Sequence, residues 1–321
     1  MAAERAVCVN NSRQLPRRNF LASAGATFLA GAFPAGSFAH VPAALPSLFS
    51  VMLWTIDSQL PFERRISMVS DAGYHAVELV DEYKDWSKSG FAAARQRFRQ
   101  LNMVVDACSG INSSLCDPAQ LDALLAEVRA KLPVLAELEC SRLILLSGNR
   151  VPGLSHQQLH ANIVNALKRV ANVTAAQNIE ILLENIDPIE NPEYFLTSVA
   201  EGFQIVREVS HPRVKFLCDF FHEQIAEGNL IAKLEKNLDI IGLLHIADVP
   251  GRHQPGTGEI NYASIFRKLG QLNYSRYLAM EFIPTGDTVM ALRTAREFAE
   301  KYLAEGRAAA ASAFTSELIH A

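Results

Sequence analysis

Four residues able to bind a metal ion close four short apolar runs: Ile-Leu-Leu-Glu184, Phe-Leu-Cys-Asp219, Leu-Leu-His245 and Ala-Met-Glu281. Three carboxylates and one imidazole suit a divalent cation. The excess of oxygen donors favours Mn²⁺ or Mg²⁺, with Co²⁺ or Zn²⁺ as alternatives. Such an ion polarises a carbonyl and its neighbouring hydroxyl, and carboxylates beside it can move protons. Taken singly, each residue has an ordinary structural use: a glutamate pairs with an arginine, an aspartate caps a turn, a histidine sits satisfied in a core. Their recurrence at intervals near one strand-helix repeat points instead to a metal site at Glu184, Asp219, His245 and Glu281.

Just beyond the same runs stand Glu190, His222, Arg252 and Glu259, all on expected loops. His222 follows Asp219 by three residues and can reach over the metal to a substrate oxygen. Arg252, on a loop expected to be mobile, can clamp a carboxylate or hydroxyl. A surface salt bridge or loop hydrogen bond is the alternative for His222 and Arg252, and it explains Glu190 and Glu259 better than a site role does. Trp54 and Phe282 are candidates for the apolar wall of a pocket, with core packing as the alternative. Asp248 either orders the loop that follows it or touches substrate.

The elements that must position these groups alternate. Short β-branched or apolar runs, read as strands over 48–54, 76–80, 103–107, 142–146, 180–184, 214–219, 243–247 and 277–282, are each followed by a stretch of helical period. Eight such units predict an α/β fold, a (β/α)8 TIM barrel with parallel strands inside and helices outside. Pro61, Asp117-Pro118 and Ser155 mark helix starts. Leu124, Leu125, Val128, Leu132 and Leu135 form a stripe that packs on the barrel exterior. The Pro- and Gly-rich stretch 249–259 reads as a loop over the barrel mouth.

The ends of the chain read differently. Pro16-Arg17-Arg18-Asn19-Phe20-Leu21, a weakly apolar run broken by Gly25, Gly31, Pro34 and Gly36, and a small-residue ending at Ser37-Phe38-Ala39 resemble a bacterial twin-arginine export signal. The expected organisation is a signal peptide over 1–39, the barrel over 40–305 and an Ala-rich tail over 306–321. The expected destination is the periplasm or beyond, with the twin-arginine export machinery as a partner. The chain carries a net charge of −4, and residues 1–39 hold four arginines against Glu4, so the remainder stands at −7. That balance speaks against a nucleic-acid partner, whose phosphates need a basic surface. Cys108, Cys116, Cys140 and Cys218 lack zinc-knuckle spacing. Cys108 with Cys116 is the close pair that export would allow to oxidise, and Cys218, in an apolar run, reads as a buried free thiol.

The motifs together resemble the xylose-isomerase-like barrel superfamily and, within it, the hydroxypyruvate isomerases. The resemblance rests on Ala72-Gly-Tyr-His-Ala-Val-Glu-Leu79, Glu184 after its strand, Cys-Asp-Phe-Phe-His222, Ala279-Met-Glu-Phe282 and above all the stretch from His245-Ile-Ala-Asp-Val-Pro-Gly-Arg252 to Gly-Thr-Gly-Glu-Ile-Asn-Tyr262. It implies one divalent ion on Glu184, Asp219, His245 and Glu281, with Glu184 and Glu281 as the acid-base pair and Glu190, His222 and Arg252 toward the substrate. The implied activity is interconversion of a small aldose-ketose pair through an enediolate, as from hydroxypyruvate to tartronate semialdehyde. Two departures pull toward a ketose 3-epimerase: His245 stands where hydroxypyruvate isomerases usually carry glutamine, and Glu190 resembles an epimerase substrate contact. A phosphodiester-cleaving relative fits poorly, because the second and third strands end near Val80 and Ala107 without a histidine. A non-catalytic periplasmic sugar-binding barrel is the rival from outside enzymes. Barrels of this kind are often homodimers, although no exposed apolar stripe is legible in the sequence.

Overall fold

The structure, a computed structural model, describes residues 48–320. The expected signal peptide over 1–39 and its junction with the barrel lie outside the described residues. Eight strands, β1 (Leu48–Met52), β2 (Ala76–Leu79), β3 (Val104–Cys108), β4 (Arg142–Leu146), β5 (Glu180–Glu184), β6 (Val214–Asp219), β7 (Ile241–Ile246) and β8 (Tyr277–Met280), pair in parallel and in chain order. β8 returns to β1 with Leu48 opposite Tyr277, which closes the barrel. Closure removes both sheet edges, so every strand is covered by neighbours on two sides and by helices outside.

Nine helices surround the barrel among the described residues: α1 (Phe62–Asp71), α2 (Lys88–Gln100), α3 (Leu121–Glu137), α4 (His156–Val173), α5 (Val199–Val209), α6 (Phe220–Ala226), α7 (Leu230–Asn237), α8 (Tyr262–Gln271) and α9 (Thr288–His320). Their starts follow the sequence signals. Ser155 and Gln158 form a reciprocal capping box on α4. Asp117 accepts from the Ala119 amide at 3.0 Å and caps a 3₁₀ turn, Pro118–Gln120, that feeds α3. On α3, Leu124, Leu125, Val128 and Leu135 are buried, and Leu132 is half-buried against the same core.

Inside the barrel, Met52, Ala107, Ile144, Leu182, Leu217, Leu243 and Ala279 form a small core of their own, separate from the larger one between sheet and helices. This inner layer is a packed floor beneath the strand C-termini, where the polar groups collect.

Several strand limits shift from the sequence reading. β1 stops at Met52, because Leu53–Thr55 turns into a 3₁₀ helix that carries Trp54 to the mouth. β3 runs one residue later than expected, and β8 ends at Met280, so Glu281 is the first residue past its strand. β7 begins at Ile241, two residues early, with Gly242 inside the strand. A Cβ there would lie 2.5 Å from Leu182 Cδ2 and 2.8 Å from Lys215 Cβ, so only glycine fits this irregularity between β6 and β7.

The tail boundary expected at residue 306 is not an element boundary: α9 runs through it without a break. Gly306 and Gly270 bring α9 and α8 into backbone contact, since a Cβ would sit 2.0 Å from the Arg267 carbonyl or 2.2 Å from that of Leu303. All four cysteines of the described region are buried free thiols, Cys108 and Cys116 included.

Candidate metal centre

Glu184 closes β5, Asp219 closes β6, His245 is the penultimate residue of β7, and Glu281 follows β8. Strand register sets them side by side: Asp219 pairs with His245, and His245 with Ala279, two residues before Glu281. One ligand atom from each of the four comes within 4.8 Å of all the others. His245 Nδ1 is the hub, 2.7 Å from Glu281 Oε2, 3.1 Å from Glu184 Oε1 and 3.8 Å from Asp219 Oδ2. All four side chains are buried.

The donor set fits a divalent cation. Asp219 Oδ2, His245 Nδ1 and Glu281 Oε2 are buried without a hydrogen-bond partner and face one another. Leaving a buried polar atom unsatisfied costs about 1–3 kcal/mol, more when it is charged. A single cation held between them would satisfy all three at once. Asp219's other oxygen is occupied, accepting from the Phe221 and His222 amides at 2.7 and 3.2 Å, which fixes its orientation at the start of α6.

The electrostatics show groups competing for charge. Burial alone would lower the His245 imidazole, but Glu281, Glu78 and Glu184 outweigh it and hold its pKa well above the usual range. Burial would raise Glu281, yet His245 and Arg252 bring it well below the ordinary carboxylate range. Burial, opposed by His222, pushes the Asp219 carboxyl up to about 6. A bound cation would take over the balancing role that the His245 proton plays here.

Around this centre the second set of candidates divides. His222 Nδ1 lies 2.6 Å from Asp187 Oδ2, and its Nε2 is 3.5 Å from Asp219 Oδ2. Burial would lower this imidazole, but Asp219 and the hydrogen bond to Asp187 raise it to about 9. Arg252 Nη2 forms an ion pair with Glu281 Oε2 at 2.9 Å, and its Nη1 donates to Glu190 Oε2 at 3.1 Å. Its guanidinium lies over the rings of Trp54 and Phe221, with centroids at 5.3 and 4.9 Å. Trp54 Nε1 donates to Glu281 Oε1 at 3.1 Å, so Trp54 belongs to the site. Phe282 is core, and Glu259 accepts from Gln224 at the surface, away from the cavity.

The loop carrying Arg252 is pinned, which corrects the expectation that it is mobile. The buried Asp248 carboxylate accepts from the amides of Val249, Gly256, Gly258 and Ile260 at 2.8–3.0 Å. Asp248 therefore orders the loop. Arg252 itself sits at φ 56°, a left-handed conformation held by these contacts and by the Ile283 amide on its carbonyl at 2.7 Å.

These groups border a cavity of about 340 Å³. Its lining combines the polar Glu184, Glu281, His222, Arg252, Glu190 and Asn191 with the apolar Met52, Trp54, Val80, Ile144, Leu146 and Ile186. A few convergent polar groups in a largely apolar lining are the usual composition of a small-molecule site.

Sequence reasoning missed three groups. Asp187 orients His222 and, through Oδ1, accepts from the Ile189 and Glu190 amides at 2.8 Å each. Glu78, fully buried on β2, lies with Oε2 2.9 Å from His245 Nε2. Asp106, on β3, accepts from Ser50 Oγ at 2.5 Å, and burial pushes its carboxyl well above the ordinary range. The signal for the last two was a carboxylate inside a strand whose every neighbour is buried, a placement that charged residues avoid unless paired.

A family model described as xylose isomerase-like TIM barrel matches residues 66–302. The 2-oxo-tetronate isomerase of Cupriavidus necator is 32% identical over 256 residues, covering 75% of this chain and 94% of that protein. The hydroxypyruvate isomerase of Escherichia coli strain K12 is 28% identical over 249 residues, covering 76% and 96%. Among solved structures, an AP endonuclease of family 2 from Brucella melitensis superposes with a TM-score of 0.72 at 25% identity, covering 78% of this chain and 99% of that one.

Proposed function

The chain belongs to the xylose isomerase-like TIM barrel family, and from that premise we propose that it is a metal-dependent isomerase of a small hydroxy-carbonyl compound, working through an enediolate. The observation that carries the reading is the pair Glu184 and Glu281. Two carboxylates border one cavity and flank one imidazole nitrogen at 3.1 and 2.7 Å. The names of the two curated relatives support hydroxypyruvate and its isomer as the first substrates to test.

A divalent ion held by Glu184, Asp219, His245 and Glu281, Mn²⁺ or Mg²⁺ first among the candidates, would stabilise negative charge as it develops on the substrate oxygens. The protein's own groups do the rest. One of Glu184 and Glu281 removes the carbon-bound proton, and the other returns a proton to the neighbouring carbon. Arg252 and Trp54 hold the Glu281 carboxylate in place, Arg252 through an ion pair to Oε2 and Trp54 through a hydrogen bond to Oε1. His222, oriented by Asp187, offers a proton to a substrate oxygen on the cavity side. The apolar wall of Met52, Val80, Ile144 and Leu146 keeps water from the reacting carbons.

Ketose 3-epimerisation is the second reading, favoured by the identity of the third ligand, His245, and by Glu190 at the cavity rim. It uses the same two carboxylates on opposite faces of one carbon. The N-terminal resemblance to a twin-arginine signal supports export to the periplasm.

Incubation of manganese-loaded protein in deuterated water with hydroxypyruvate, tartronate semialdehyde and free ketoses, read by NMR, tests the proposal. Deuterium at the neighbouring carbon with the isomeric product supports the isomerase. Deuterium at a single retained carbon with inverted configuration supports the epimerase. Absence of exchange with every compound, in protein carrying one ion, would remove the catalytic reading and favour a binding role.

A further inference from the structure

We infer that Glu78 is the positioning residue for His245: its carboxylate accepts the Nε2 proton and thereby presents the Nδ1 lone pair to the metal ion. This rests on the reading of Glu184, Asp219, His245 and Glu281 as a metal centre.

An imidazole has two nitrogens, and a neutral ring carries its proton on only one of them. Which nitrogen is free to ligate is decided by what the other one bonds. In His245 the two nitrogens face opposite surroundings. Nδ1 points at three candidate ligand carboxylates, and Nε2 points at Glu78 Oε2, 2.9 Å away. As a carboxylate Glu78 can only accept there, so the tautomer it selects is Nε2–H with Nδ1 bare.

The placement of Glu78 is costly for packing alone. It sits on β2, between Val77 and Leu79 and with every residue of the strand buried, and it reaches across the barrel interior to a residue 167 positions away. Its second oxygen, Oε1, is buried without a hydrogen-bond partner. A glutamate contributing only to packing would carry the cost of that orphaned oxygen with no return, whereas a leucine of similar volume would fill the same apolar interior. Among the described residues the bond to His245 is the side-chain hydrogen bond that Glu78 makes, and it ends on the nitrogen opposite the proposed ligand atom. A carboxylate behind a ligating imidazole also makes that ring a stronger donor.

The test is a titration of metal-free protein with Mn²⁺, followed by calorimetry, for wild type, Glu78→Leu and Glu78→Gln, with Glu184→Gln as control. The expected result is a Kd weakened by about 10- to 100-fold in Glu78→Leu, the range for loss of such a partner, and by a smaller factor in Glu78→Gln, whose amide oxygen still accepts. The thermal midpoint of metal-free Glu78→Leu should fall, because the buried Nε2–H of His245 loses its acceptor, and that of Glu78→Gln should fall less. A purely structural role predicts the same lowered midpoint but with wild-type affinity. In zinc-loaded protein with ¹⁵N-labelled histidine, the His245 Nε2–H resonance should lie downfield in wild type and move upfield in Glu78→Leu. Wild-type Kd values in both Glu78 variants, with Glu184→Gln weakened, overturn the role of Glu78 and leave the metal centre standing. A wild type that binds no Mn²⁺, or binds it as well after Glu184→Gln, removes the metal centre and this inference with it.

Discussion

Arg252 grips Glu281 twice, through Nη2 on the carboxylate at 2.9 Å and through Nε on the Glu281 carbonyl oxygen at 3.3 Å. Side chain and backbone of one catalytic candidate are thus fixed by a residue from the neighbouring βα loop. Arg252→Lys keeps the charge but loses the planar fork, and a lysine cannot make both contacts. A charged hydrogen bond of this kind is worth about 1.5–3 kcal/mol. The expected loss in kcat/KM for Arg252→Lys is therefore on the order of ten- to a hundredfold, measured by steady-state kinetics on whichever substrate exchanges.

Glu184→Gln and Glu281→Gln should each stop deuterium incorporation into substrate, by at least the roughly 10²- to 10⁴-fold that a positioned acid or base contributes. A double variant that retained most of the exchange would refute their assignment as the acid-base pair.

Metal affinity should fall as pH falls. The His245 imidazole is held well above its usual range by Glu281, Glu78 and Glu184 after they overcome burial, so its proton competes with the ion. The proton is increasingly lost as pH rises, and affinity for Mn²⁺ rises with it. Below about 6, where burial has raised the Asp219 carboxyl, a second ligand becomes protonated and the decline steepens. Mn²⁺ titrations across mildly acidic to mildly alkaline buffers read this directly. A flat profile would count against His245 and Asp219 as ligands.

Addition of Mn²⁺ at a hundredfold excess over Kd should stabilise the protein by about 2.7 kcal/mol, and a chelator should reverse the shift. The thermal midpoint with and without chelator is the check, and Glu184→Gln should show a reduced response.

Asp248→Ala leaves four loop amides without their shared acceptor. The expected cost is about 3 kcal/mol in denaturant unfolding, given that such bonds are not additive. KM should rise as well, because the displaced loop carries Arg252. An unchanged KM would mean that Arg252 is positioned by Glu281 and Glu190 alone.

The strand-helix alternation was readable because polarity repeats locally, and each unit announces itself within its own thirty-odd residues. Helix starts at Ser155 and Asp117 were legible for the same reason, since a cap acts on amides two or three positions away. Strand ends were less so. Trp54 and Glu281 lie past their strands because the chain turns there, and an apolar run does not record where pairing stops. Gly242 extends β7 two residues before the apolar run begins, at a point where the close approach of Leu182 and Lys215 requires glycine.

By itself the sequence determined the barrel, its eight-fold order and the four strand-end groups of the candidate metal centre, because residue type and position within a repeat are both properties of the chain. Only the tertiary structure decided what those groups lean on. Glu78 meets His245 across 167 positions, Asp187 meets His222 across 35, and Trp54 meets Glu281 across 227. A buried carboxylate looks the same in a sequence whether it is partnered or not. Its partner is chosen by barrel closure, which brings strands far apart in the chain within a few ångströms at one end of a shared axis.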